Sequence, residues 1–381
     1  MEPSSRRAES NAELVAAIRA EIARQGPITF ARFMELALYH PEHGYYRAAA
    51  ARPGRGGDFL TAPEAHPIFG HALARQLDEM WRVLGQPTPF TLREYGAGAG
   101  TLALALLAGL RADDSPLLPQ LRYQPVEINA RRRAELAEKL AESGFDEQLA
   151  EPDQTPFTGC VLANEFIDAF PVHRLLRHDG VLREVYVAWR DGWFAEELGP
   201  PSTPAIAAQL VEEGIELAEG QRAEVNLGAG DWVRAVAGVL ERGYALVIDY
   251  GYPAAELYGP SRRDGTLKAY TQHQVHEDPY RAIGEQDLTA HVDFTALERA
   301  ARAAGLATLG LTTQSDFLAG AGIGELLVAL QTEPGMTFEA YVAARAAVMR
   351  MIDPGAMGRF RVLLLGKDVP RATLCGFSDR L

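Results

Sequence analysis

The chain has 381 residues, 47% of them hydrophobic and 23% charged, with a net charge of −14 at pH 7. These are globular values for one large or two ordinary domains. The acidic balance argues against nucleic-acid binding, which rests on neutralising phosphates with Lys and Arg. No apolar run reaches the roughly 18 residues of a membrane span, so no membrane insertion is expected. The two cysteines, Cys160 and Cys375, are too few for a zinc cluster. Residues 1–11 are polar with no apolar run after Arg6 and Arg7, so no targeting segment is expected and a cytoplasmic, reducing location follows.

Residues 1–10 read as a tail. Residues 12–25 carry an amphipathic helical pattern that Gly26-Pro27 ends. Thr29 is placed to cap a second helix running through Tyr39, and the aromatics after it, up to Tyr45-Tyr46, read as packing. His40 and His43 have no third ligand nearby, so no metal is expected. Next, Gly57-Asp58-Phe59-Leu60-Thr61-Ala62-Pro63-Glu64 follows a Gly/Pro/Arg loop, with Thr61 able to cap a helix that Pro63 begins. Asp58 and Glu64 have no evident packing role there, so this loop is a candidate to close over a cofactor. The helix that follows repeats Ile68, Phe69, Ala72, Leu73, Leu77, Met80 and Trp81 on one face, a core stripe.

From residue 90 to 170 strand and helix alternate. A strand over 90–95 and a helix over 102–110 frame Glu94-Tyr95-Gly96-Ala97-Gly98-Ala99-Gly100-Thr101. Strand, glycine turn and helix N-terminus together make a nucleotide-cofactor site: glycine lets the backbone turn and approach a ligand, and the helix end offers free N–H groups. The dinucleotide fingerprint needs Gly or Ala where Thr101 stands, so the pattern is E-x-G-x-G-x-G instead. The next strand ends at Glu127, 27 residues after Gly100 and far enough on for one helix and one strand.

Residues 130–143 read as a charged helix and 157–163 as a buried parallel strand. That strand runs into Asn164-Glu165-Phe166-Ile167-Asp168-Ala169-Phe170-Pro171-Val172. Ligands bind beyond the C-terminal ends of such strands, which puts Asn164, Glu165 and Asp168 at the binding edge, with helix capping as their alternative role. Residues 175–197 alternate around Asp179-Gly180 and Asp191-Gly192, the signature of β-hairpins. Residues 205–220 are acidic and helical or irregular, 229–242 read as a helix, and 244–252 as another buried strand. Residues 262–287 read as a long polar loop. Residues 287–294 then lead into a helix, 308–312 into a short strand, and 359–365 into the last one.

Four segments result: a tail and helical cap over 1–88, a first core part over 89–172, a β-hairpin and helical insertion over 173–228, and a second core part over 229–381 with a long loop at 253–286. The insertion is a candidate surface for a homodimer or for a partner.

The E-x-G-x-G-x-G loop resembles motif I of class I S-adenosyl-L-methionine-dependent methyltransferases, and Glu127 stands where that family puts an acid on the ribose hydroxyls. Pro27-Ile28-Thr29-Phe30 with residues 39–46, then 57–64, 94–101, 164–172, 248–251, 265–270 and 287–294, resemble in order the MidA-like methyltransferases. That family includes a mitochondrial complex I assembly factor that methylates an arginine of a complex I subunit. The resemblance implies an α/β, Rossmann-like, mostly parallel sheet with an N-terminal helical cap and a β-rich insertion. It also implies S-adenosyl-L-methionine as cofactor and a protein substrate with arginine as candidate acceptor. Glu94, Gly96, Gly98, Gly100, Thr101, Glu127 and Asn164 are the expected cofactor-binding residues. A guanidinium is protonated and delocalised, so carboxylates are needed to orient it and take its proton. Glu165 and Asp168 come first for that role, Asp58 and Glu64 second, and Asp249, His291 and Asp293 third. Residues 145–149 make a poor strand, which leaves the adenine contact unassigned. Two rivals stay open: a non-catalytic assembly protein on the same fold, and an NAD-dependent oxidoreductase, against which Thr101 and the acid spacing count.

Overall fold

The computed structural model describes residues 9–47, 61–271 and 274–378. Contacts group the described parts of residues 1–59, 167–232 and 251–300 into one unit, and of 60–166, 233–250 and 301–381 into another. In chain order, α1 (Ala12–Gln25), β1 (Ile28–Thr29) and α2 (Phe30–Tyr39) open the first unit. The second begins with α3 (Ala62–Ala65), α4 (Ile68–Val83), β2 (Phe90–Tyr95), α5 (Thr101–Ala112), β3 (Leu121–Val126), α6 (Ala130–Glu142) and β4 (Phe157–Asn164). The chain returns to the first with β5 (His173–His178), β6 (Val181–Arg190), β7 (Trp193–Gly199), α7 (Pro204–Glu212) and β8 (Arg222–Val225). Then α8 (Gly228–Val239) leads to β9 (Leu240–Asp249) of the second unit. A further first-unit stretch holds β10 (Gly251–Tyr252), α9 (Ala254–Leu257), β11 (Lys268–Thr271), β12 (Gln274–His276), β13 (Asp287–Thr289) and β14 (Val292–Asp293). After α10 (Phe294–Ala303) the second unit closes with β15 (Ala307–Thr313), α11 (Gln314–Gly320), α12 (Ile323–Ala329), α13 (Phe338–Ile352) and β16 (Arg361–Lys367).

The second unit is built on a sheet ordered β15-β16-β9-β4-β2-β3. β3, β2, β4 and β9 run parallel, and β16 is antiparallel to both its neighbours. The order reverses at β2: the chain moves out to β3 and then back across to β4, which opens a crevice beyond the ends of β2 and β4. The strands are continuous apolar runs such as Cys160-Val161-Leu162-Ala163, whose successive side chains are buried on both faces. The stripe of α4 is buried as its periodicity requires, with Phe69, Leu73, Leu77 and Met80 in one core with Leu102 and Leu106 of α5.

The first unit holds an antiparallel sheet ordered β1-β6-β5-β8 with β7 on the edge of β6. Asp179-Gly180 and Asp191-Gly192 turn its hairpins with positive φ at both residues, the geometry that matches strand twist. Its core is aromatic: Phe30, Phe33, Phe194 and Tyr280 pack with ring centroids 5.1–6.4 Å apart.

Three features differ from the sequence reading. Residues 1–88 do not group as one cap: α1 and α2 belong to the first unit, through pairing of β1 with β6, whereas α3 and α4 join the second through the α4 stripe. Residues 253–286 are not one long loop. They form α9 and the hairpin β11–β12, with β11 also paired to β13; these strands are short and polar, so only their non-local pairing defines them. Finally, Leu240 to Arg242 leave the helix and start β9, because Leu240 and Arg242 pair with Phe157 and Thr158 of β4. Residues 145–149, expected to make a poor strand, form a 3₁₀ turn at Asp146–Gln148 and a single bridge from Leu149 to Tyr123.

Candidate cofactor site and active site

The glycine loop lies where β2 gives way to α5. Gly96, Gly98 and Gly100 all have positive φ, at 71°, 55° and 80°. Their surroundings differ. A Cβ on Gly96 would stand 2.9 Å from the Phe166 ring and one on Gly100 2.8 Å from Leu136, whereas one on Gly98 would meet nothing closer than 4.0 Å. The outer two glycines let the loop pack inward, and the middle one presents bare backbone to open space. Gly96 N–H donates to Val126 O at 2.9 Å, and Lys139 of α6 donates to Ala99 O at 3.0 Å. Thr101 is the first residue of α5 and is exposed.

Glu127, at the end of β3, holds this loop in shape. One carboxylate oxygen accepts from Gly98 N–H at 2.9 Å and the other from Asn129 N–H at 2.7 Å. Glu94 is buried beneath, and its carboxyl accepts from the Tyr123 hydroxyl at 2.6 Å. Burial pushes the Glu94 carboxyl up to about 7, helped by the negative charge of Glu127 and opposed by the Tyr123 hydrogen bond.

At the end of β4, Asn164 donates to the Glu165 carboxylate at 3.5 Å, while its own Oδ1 is buried with no hydrogen-bond partner among the described residues. Glu165 adopts a left-handed backbone with φ 47°, rare outside glycine. Its carboxylate accepts from Ala62 N–H at 3.4 Å, and the half-buried Glu64 carboxylate accepts from Thr61 N–H at 3.4 Å. Burial raises the affinity of Glu64 for its proton. The structure therefore brings Glu64, Glu94, the three glycines, Glu127, Asn164 and Glu165 into the second unit. Asp168 falls in the first unit, buried, with Ala290 N–H on its backbone oxygen. His291 and Asp293 are also in the first unit, and Asp249 ends β9 in the second. Asp58 lies outside the described residues.

Tyr123, Lys139 and Phe166 carry no expectation from sequence. Tyr123 was open to discovery, since it stands on the strand beside Glu94 and a buried phenol needs a partner. Lys139 sits among many charges on α6 and gives no signal of its own.

Residues 72–312 match the family described as "Putative S-adenosyl-L-methionine-dependent methyltransferase". The chain belongs to that family. It is 33% identical over 333 residues to the protein arginine methyltransferase NDUFAF7 homolog, mitochondrial, of Drosophila melanogaster, covering 80% of this chain and 73% of the relative. The human protein arginine methyltransferase NDUFAF7, mitochondrial, is 30% identical over 332 residues, covering 80% and 72%. A Burkholderia thailandensis protein solved with S-adenosyl-homocysteine bound is 36% identical with a TM-score of 0.89, covering 100% of this chain and 97% of that one. The chain is thus a MidA-like enzyme, an S-adenosylmethionine-dependent methyltransferase on the class I fold.

The residues of the second unit suit that cofactor. A glycine facing open space, a carboxylate at the next strand end and the orphaned Oδ1 of Asn164 offer close backbone approach and acceptors for hydroxyl and amino donors.

Proposed function

We propose that this methyltransferase acts on an arginine side chain of a protein, with Glu165 as the carboxylate that receives it. When bound, S-adenosyl-L-methionine supplies an electrophilic methyl group on a sulfonium. Gly96, Gly98, Gly100 and Glu127 would hold the cofactor, with Asn164 and Thr101 beside them and Glu94 beneath the loop. A guanidinium nitrogen would take that methyl group, so the protein's work is to aim that nitrogen and exclude water. The Glu165 carboxylate would localise the guanidinium charge on the far nitrogens and take the proton released. The observation that carries this reading is the left-handed Glu165 at the end of β4, on the same sheet edge as the glycine loop, since backbone strain of this kind collects at functional sites. The names of the relatives support arginine as the acceptor. Asp168, Glu64 and Asp58 remain candidates for the same role, each to be replaced singly by its amide.

A protein acceptor, a cytoplasmic location and a homodimer formed through residues 173–228 belong to the same proposal. The relatives are named mitochondrial, and fractionation decides for this chain. The first experiment is calorimetric titration with S-adenosylmethionine, S-adenosylhomocysteine and NAD, followed by mass spectrometry of arginine-containing proteins incubated with enzyme and labelled donor. Binding of the first two and label on arginine is the expected result. Label on another residue type would overturn the acceptor, and binding of NAD alone would overturn the cofactor.

A further inference from the structure

β9 ends in Asp249, a carboxylate with 0% exposure. A buried charge must be met by donors. Its two oxygens accept from two backbone N–H groups on different loops: Phe166 at 3.2 Å, just beyond β4, and Tyr250 at 2.9 Å, just beyond β9. One residue earlier, Glu165 N–H donates to Ile248 O at 2.8 Å, which carries the β4–β9 ladder one step past the end of β4. The turn is therefore pinned at two successive amides, one to strand backbone and the next to a side chain. Between these pins Glu165 takes its left-handed conformation, which a non-glycine residue keeps only where its surroundings over-determine it. The pin on Phe166 has a second effect. The Phe166 ring lies against Gly96, 2.9 Å from where a Cβ would stand, and 5.7 Å from the Tyr95 ring.

We infer that Asp249 is a positioning residue for methyl transfer: it aims the Glu165 carboxylate through the strained turn and sets the wall of the cofactor loop through the Phe166 ring. This rests on the proposed role of Glu165. The role is assigned through the turn, because each Asp249 oxygen accepts from a backbone amide.

Asp249→Asn is the direct test, because the amide group must turn a donor toward one of two N–H groups while keeping the size of the side chain. Three readouts are needed: the Kd for S-adenosylhomocysteine, kcat with S-adenosylmethionine and an arginine-containing peptide as acceptor, and kcat of the double variant with Glu165→Gln. Asp249→Asn is expected to weaken S-adenosylhomocysteine binding about tenfold and to lower kcat about tenfold or more. Glu165→Gln should lower kcat and leave that Kd within about twofold of wild type, and adding Asp249→Asn to it should lower kcat by no more than about twofold further. A residue that merely stabilises the fold would instead give kcat losses that multiply, and that result overturns the inference, as does an unchanged Kd. Phe166→Ala serves if Asp249→Asn does not fold. It keeps the amide pin and removes the ring, so weaker S-adenosylhomocysteine binding with kcat retained supports the inference and unchanged binding overturns it. Failure of the arginine reading looks different: wild-type enzyme binds S-adenosylhomocysteine and labels no arginine, and the Kd comparison still decides for or against Asp249.

Discussion

At the end of β2, Glu94 shows how one carboxyl group ties cofactor site to stability. Its ordinary value is 4.5 and burial lifts it to about 7. Between those values the folded chain keeps a proton that the unfolded chain has lost, so the folded state binds more protons and stability falls as pH rises. The contribution is whole below about pH 4.5, declines through the window up to 7 and is flat above it, amounting to about 3 kcal/mol. Wild-type Tm should therefore fall from pH 5 to pH 8, and Glu94→Gln should make that fall smaller; melting curves at four pH values check it. Glu127 acts on the loop rather than on the core. Its replacement by Ala frees Gly98 N–H and Asn129 N–H together, so S-adenosylmethionine should bind at least tenfold more weakly, on the order of 1.5–3 kcal/mol, by calorimetry. An unchanged affinity would remove its assigned role.

The strand, glycine loop and helix β2–α5 behave as one element, and its three glycines separate two demands. Gly100→Ala would drive a methyl group into Leu136 as well as impose an unfavourable φ, so it should lower stability by about 1–3 kcal/mol in denaturant unfolding. Gly98→Ala meets open space and bears only the backbone penalty, about 1 kcal/mol, yet it should weaken the cofactor by more than that. Equal losses of stability for both would sink the distinction. This element was legible in sequence because everything it needs is local: an apolar run, glycines at fixed spacing and a helical run after them. Glu127 and Asn164-Glu165 were legible for the same reason, as polar residues ending apolar strands. What sequence did not carry was pairing. β11 and β12 are short and polar; they pair with each other, and β11 also pairs with β13. The pin from Asp249 to Phe166 spans 83 residues, and nothing in either stretch announces the other. The allegiance of α4 to the sheet rather than to α1 and α2 likewise follows from which apolar stripe meets which, not from where the chain bends.

For the molecule as a whole, each unit carries a buried carboxyl whose contribution to stability is lost as pH rises. In the first, Glu213 is raised by burial and then by the charge of Asp293, with Arg299 Nη1 3.1 Å away pulling the other way. Its folded affinity for a proton exceeds the unfolded one, so its contribution is whole at low pH and is lost as pH rises above the ordinary carboxylate range. Glu213→Gln should raise Tm at pH 9 relative to wild type and leave it unchanged or lower at pH 5. A rise at both pH values would mean that the carboxyl is simply misplaced. Within the chain, two of the three stretches of the first unit are excursions: residues 167–232 leave just after β4 and return before β9, and residues 251–300 leave just after β9. The strands at each departure keep their register whatever the length of the excursion, because a loop closed at both ends loses stability only slowly as it grows. A lineage can therefore re-letter or lengthen these passages while leaving the sheet that carries the glycine loop untouched, and a protein engineer can trade them between relatives as whole cassettes that begin after Phe166 and Tyr250.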